Sequence, residues 1–201
     1  MSTELKPGET DKLWTISNII TLVRICLVPV FVVALITPWP TWFSIAGVSS
    51  TTKSLIAALI FILISCTDWL DGYLARSRGE VTNFGKFMDP LADKLLVCSA
   101  LICLIELNAL PAWMVIIIIS REFIISGFRL IASDNGVVIA ASYWGKFKTT
   151  FQMVSVVLLI LDIPALAYVT TICVWIALLL TIVSLVDYIY KNHKILTEGS
   201  I

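Results

Sequence analysis

Asp68, Asp71, Asp89 and Asp93 place four carboxylates inside or beside two strongly apolar stretches. On insertion scales each carboxylate near a bilayer centre costs roughly 2.5–3.5 kcal/mol, so this group needs a compensating partner. Asp68 and Asp71 stand at i, i+3, and Asp89 and Asp93 at i, i+4. On helices, each pair shares one face, with Cβ atoms about 5–6 Å apart. Two such pairs on facing helices form an all-oxygen site for hard cations such as Mg²⁺ or Mn²⁺. The four negative charges would balance two divalent ions.

The elements that must hold these residues are apolar helices. The chain has 201 residues, 59% hydrophobic and 14% charged. Soluble domains average about 25% charged residues, so the composition is that of an integral membrane protein. Formal net charge is zero, and nothing marks a nucleic-acid partner. Residues 1–15 are polar and mixed in charge, with no cleavable signal pattern. Cys26, Cys66, Cys98, Cys103 and Cys173 fall in apolar segments without a Cys-x-x-Cys, which indicates packing rather than zinc or disulfides. The lone histidine, His193, lies in a basic tail.

Apolar runs long enough to cross a bilayer occupy 16–37, 54–77, 84–108, 111–132, 143–163 and 165–189. Pro38, Pro40, Gly79, Pro111, Asp134-Asn135-Gly136 and Pro164 punctuate them. The expected fold is all-α and integral to the membrane: a six-transmembrane-helix bundle forming one domain over 16–189. Segment 1–15, with Leu5, Leu13 and Trp14, would form a short interfacial helix, and 190–201 a cytoplasmic tail.

Ten basic residues (Lys6, Lys12, Arg76, Arg78, Lys86, Arg129, Lys146, Lys148, Lys191 and Lys194) fall on one side of these spans, and Lys53 alone on the other. This asymmetry puts both termini in the cytoplasm. Trp14 and Trp144 then mark the inner interface, and Trp39, Trp42 and Trp113 the outer one. All four aspartates fall in the cytoplasmic leaflet, where lipid headgroups can meet a cytosolic co-substrate.

In full, the acidic stretch reads Asp68-x-x-Asp71-Gly72-x-x-Ala75-Arg76, eight residues, then Gly85-x-x-x-Asp89-x-x-x-Asp93. Gly72 and Ala75 share a face whose small side chains let a base or phosphate approach the backbone; close helix packing is the plainer alternative. Arg76 can fork onto a diphosphate. Gly85 allows close approach at the start of the third span. Pro90 either kinks that span or sits in its first turn. Asn18, Thr21 and Arg24 recur every three residues along the first span, and an arginine that deep needs an anionic partner.

The motif resembles the signature of the CDP-alcohol phosphotransferases, which move a phosphatidyl or related group from a CDP-linked donor to an alcohol and release CMP. The resemblance implies that Asp68, Asp71 and Asp89 are metal ligands for two Mg²⁺ or Mn²⁺ ions. Asp93 would take the acceptor hydroxyl's proton while also touching a metal. Asn18, Thr21, Arg24, Asp68, Gly72, Ala75, Arg76 and Gly85 would bind CDP-diacylglycerol. It also implies an inner-membrane location among membrane lipids, and a homodimer.

The acceptor is read from Ser120-Arg121-Glu122-Phe123, Arg129 and Gly145-Lys146-Phe147-Lys148-Thr149-Thr150-x-Gln152. Arg121 lies mid-span, Arg129 returns to nearly the same face, and Lys146 and Lys148 enter the next span beside it. Such a cationic cluster suits an acceptor phosphate, with Glu122 pairing one cation; Lys146 and Lys148 are equally readable as positive-inside residues. This half resembles the bacterial phosphatidylglycerophosphate synthases, whose acceptor is sn-glycerol 3-phosphate. A phosphatidylinositol-phosphate synthase is the alternative within the family. A divalent-cation transporter is the alternative outside it, disfavoured because the acids cluster at one leaflet and no inverted repeat is visible.

Overall fold

The computed structural model describes residues 15–39, 50–78, 83–134 and 143–197. Among these there is no strand. Six α-helices follow one another: α1 (Ile16–Ile36), α2 (Ser50–Arg78), α3 (Asn83–Glu106), α4 (Ala112–Asp134), α5 (Tyr143–Leu161) and, after a 3₁₀ turn (Pro164–Leu166), α6 (Ala167–Thr197). Each expected apolar run falls on one helix. The expected interfacial segment at 1–14 and the loops at 79–82 and 135–142 lie outside the described residues, as does Trp42. The last helix runs into the expected tail, carried through residue 191 by an i, i+4 ion pair between Lys191 Nζ and Asp187 Oδ1 at 2.7 Å.

The chain divides into two units, Met1–Cys103 and Leu104–Ile201. In the first, Thr15 caps α1 by accepting from the Asn18 backbone N–H at 3.3 Å. The buried side chains of α1 are Thr15, Asn18, Thr21, Arg24, Val28, Phe31 and Leu35, a stripe recurring every three or four residues. Its later, apolar half packs against Ala57, Ala58, Phe61 and Ile64 of α2, with the Phe31 and Phe61 rings 5.5 Å apart. Lys53 Nζ donates to the Ile36 carbonyl at 3.2 Å, satisfying one of the open carbonyls at the end of α1.

The second unit packs α4 and α5 against α6. It opens with a turn in which Asn108 adopts φ 56°, while the amides of Ala109 and Leu110 reach back to the Leu104 carbonyl. Asparagine tolerates this left-handed conformation, which closes the preceding helix. Asp162 (φ 43°) plays the same part after α5, and Pro164 starts the 3₁₀ turn.

Polarity is inverted relative to a soluble protein. Arg121, Lys148, Gln152, Ser155, Thr181 and Ser184 are buried, whereas Ile116, Ile172, Leu179 and Val186 are about 60% exposed. Large apolar side chains facing outward over polar ones require a lipid surrounding. Among the described residues two stretches, Asn18–Ile36 and Pro164–Lys191, are long and apolar enough to cross a membrane, and Thr51–Thr67 is a shorter apolar stretch that ends just before Asp68. The protein is membrane-associated.

Candidate active site

In the first unit, the polar half of the α1 stripe is fully enclosed: Asn18 and Arg24 are 1% exposed and Thr21 0%. Arg24 Nε donates to Thr67 Oγ1 at 3.3 Å, and Thr67 Oγ1 in turn donates to the Ile64 carbonyl at 2.6 Å. Thr67 immediately precedes Asp68 in the chain. The expected stripe Asn18-Thr21-Arg24 thus exists, and its arginine is tied to the turn of α2 that leads into the acidic motif.

Asp68, Asp71, Gly72, Ala75 and Arg76 lie on α2, and Gly85, Asp89 and Asp93 on α3. Helical backbone through both stretches gives each aspartate pair its shared face. The side chains of Asp68, Asp71, Arg76 and Asp89 lie outside the described residues. Asp93 is half-buried. Because α3 begins at Asn83, Pro90 falls beyond its first turn, which settles the placement that the sequence left open. A donor set made only of carboxylates fits hard divalent cations and not soft ones.

The second unit holds a separate polar cluster. Arg121 on α4 donates through Nε to Ser184 Oγ on α6 at 3.1 Å, and through Nη1 to Glu122 Oε1 at 3.2 Å. Lys148 on α5, 2% exposed, donates to the same Glu122 oxygen. A Cβ on Gly145 would stand 3.4 Å from Arg121 Nη2, so the guanidinium lies directly over the first turn of α5. The expected pairing of Glu122 with a cation is present twice over.

The four expected acceptor-side cations fall into two kinds. Arg121 and Lys148 are buried and joined through Glu122, whereas Arg129 and Lys146 are exposed. Arg129 remains within electrostatic reach of Arg121. Sequence reasoning missed Ser184, and placed Gln152 in the acceptor stretch without giving it a role of its own. Thr181, Ser184 and Tyr188, all buried, recur at helical spacing along α6 much as Asn18, Thr21 and Arg24 do along α1, and that periodicity was the available signal.

The sequence profile of the CDP-alcohol phosphatidyltransferases matches residues 14–183. The chain belongs to that family. Enzymes of this family generally use divalent metals, in keeping with the carboxylate donor set. The chain is 43% identical to the CDP-diacylglycerol–glycerol-3-phosphate 3-phosphatidyltransferase of Bacillus subtilis, over 94% of its own length and the whole of that protein. It is 39% identical to a probable phosphatidylglycerophosphate synthase of Mycobacterium tuberculosis, over 88% of this chain and 80% of the relative. A third relative, the CDP-diacylglycerol–glycerol-3-phosphate 3-phosphatidyltransferase of Haemophilus influenzae, is 38% identical over 85% of this chain and 89% of its own. As a CDP-alcohol phosphatidyltransferase, the chain is an enzyme of group transfer.

Proposed function

We propose that this enzyme transfers the phosphatidyl group of CDP-diacylglycerol to sn-glycerol 3-phosphate, giving phosphatidylglycerophosphate and CMP. The observation that carries the acceptor half is the buried Arg121–Glu122–Lys148 triad. Two cations share one carboxylate inside an apolar helical unit, leaving one formal positive charge among the three. A phosphomonoester satisfies that surplus; an uncharged or cationic alcohol would not. The likeness to relatives named for glycerol 3-phosphate, at 43% and 38% identity, supports the same acceptor.

On this reading Asp93 accepts the proton of the attacking hydroxyl, whose oxygen bonds to the phosphorus bearing the diacylglycerol. The bond from that phosphorus to the bridging oxygen breaks, and CMP departs. Proximity to the hydroxyl makes this carboxylate effective as a base. Asp68, Asp71, Asp89 and Asp93 would hold two Mg²⁺ or Mn²⁺ ions, which would neutralise the diphosphate and the charge growing on CMP. Asn18, Thr21, Arg24, Gly72, Ala75, Arg76 and Gly85 receive the donor. Arg121 and Lys148, assisted at the surface by Arg129 and Lys146, hold the acceptor phosphate.

The six helices would each span the inner membrane, with both termini and the active site on the cytoplasmic side, and the enzyme would work as a homodimer. The deciding experiment incubates purified protein with CDP-diacylglycerol, Mg²⁺ and one acceptor at a time. CMP release with glycerol 3-phosphate, and little with inositol phosphate, is expected. Preference for inositol phosphate would move the enzyme to the other branch of the family.

A further inference from the structure

We propose that Gln152 selects the acceptor by its non-reacting hydroxyl, a role that rests on the acceptor reading just given. Lys148, Gln152 and Ser155 are buried at 2–4% exposure on α5, spaced by four and three residues, and so share one face. Two of the three are occupied. Lys148 donates to Glu122, and the Ser155 hydroxyl donates to the Phe151 carbonyl at 2.7 Å. Gln152 Oε1 is buried and accepts no hydrogen bond.

A buried amide oxygen without a donor is destabilising, and folded proteins retain few of them. The buried hydroxyls of α6, the helix packed against α5, are committed elsewhere. Thr181 donates to the Ala177 carbonyl at 2.7 Å, and Ser184 to the Thr181 carbonyl at 3.0 Å. Leucine or methionine would fill the same volume with no unmet acceptor, so an amide here points to a ligand that brings its own donor. Lys148, one turn away on the same face, is assigned to the acceptor phosphate. Side chains one turn apart, with Cβ atoms about 5–6 Å from each other, can hold a phosphate and a hydroxyl on adjacent carbons of a short polyol. The chemical class is a phosphomonoester with a hydroxyl vicinal to the phosphate-bearing carbon. That hydroxyl donates to Gln152 Oε1, while the hydroxyl further along the chain reacts.

The test compares two acceptors, each with CDP-diacylglycerol and Mg²⁺: sn-glycerol 3-phosphate, and 1,3-propanediol monophosphate, which keeps the phosphate and a primary hydroxyl but lacks the middle one. Wild-type enzyme is expected to favour glycerol 3-phosphate in kcat/KM by at least about tenfold, since a site built around a hydroxyl rejects the analogue without it. Gln152→Met should erase most of that preference by lowering use of glycerol 3-phosphate. Turnover of the diol phosphate and the KM for CDP-diacylglycerol should stay close to wild type, and the thermal midpoint should hold or rise, since the unmet acceptor is gone. Gln152→Leu gives the same readout should the methionine variant fail to fold. An unchanged acceptor ratio in the variants, alongside normal wild-type turnover of glycerol 3-phosphate, overturns the role of Gln152 alone. Absence of CMP release from wild type with either acceptor overturns the underlying acceptor reading, and this one with it.

Discussion

Lys148 Nζ and Glu122 Oε1 form an ion pair that joins α5 to α4 across 26 positions of sequence. The same carboxylate oxygen accepts from Arg121 Nη1 at 3.2 Å, so one anion organises two cations. Removing a member of a buried pair does more harm than the pair itself adds to stability, because the abandoned charge stays desolvated. Glu122 is the member that both others need. It sets the shape of the proposed acceptor side without being suited to touch an anionic substrate.

Glu122→Gln should therefore destabilise the protein by about 3–5 kcal/mol, the range for breaking a buried ion pair. Lys148→Met should be milder, since Arg121 keeps its carboxylate. Thermal unfolding in detergent ranks the two variants. Equal midpoints for wild type and Glu122→Gln would show that the triad is not structural.

Thr67→Val tests the contact between α1 and α2. The change keeps shape and removes the oxygen that accepts from Arg24 Nε. Loss of one hydrogen bond to a charged group, about 1.5–3 kcal/mol, corresponds to roughly tenfold to 150-fold if all of it is expressed in donor binding. The KM for CDP-diacylglycerol should rise and that for glycerol 3-phosphate hold steady. A rise confined to the acceptor KM would remove Arg24 from the donor site.

Asp68→Asn, Asp71→Asn and Asp89→Asn preserve side-chain size and each remove one negative charge. Metal affinity and turnover should fall together in each, and wild-type activity should vanish in excess chelator and return with Mg²⁺ or Mn²⁺. Full turnover without any divalent ion refutes the metal reading.

Much of this arrangement could be read in the sequence, and for local reasons. Asn18, Thr21 and Arg24 announce a buried stripe because three-residue spacing keeps polar groups on one helix face. Arg121 stands out because an arginine amid Ile116–Ile119 and Phe123–Ile125 has no other reason to be there. The different fates of Lys146 and Lys148 were also readable: two residues apart on a helix is about 200°, so the two cannot share a face. Ser184 was hidden, since its contact to Arg121 spans 63 positions and no local period encodes it. Gln152 could be placed in the acceptor stretch but not given a role there, because only burial without a donor makes an amide informative.

The buried and exposed cations should separate in a mutational series. Arg121→Ala removes a guanidinium held by Ser184 and Glu122, away from water, where a charge-assisted contact to phosphate is worth about 1.5–3 kcal/mol. Use of glycerol 3-phosphate should drop roughly tenfold to 150-fold in kcat/KM, with CDP-diacylglycerol binding near normal. Arg121→Lys should recover only part, since an ammonium cannot reach Ser184, Glu122 and a phosphate with one fork. Lys146→Ala and Arg129→Ala remove exposed charges, whose pairings are worth about 0–1 kcal/mol, so each should cost no more than about fivefold, and less at high salt. Asp93→Asn should differ from all of these, binding both substrates while turnover collapses. If Arg121→Ala abolished donor binding and spared the acceptor KM, α4 would belong to the donor site, and the triad would have to be reassigned to the diphosphate.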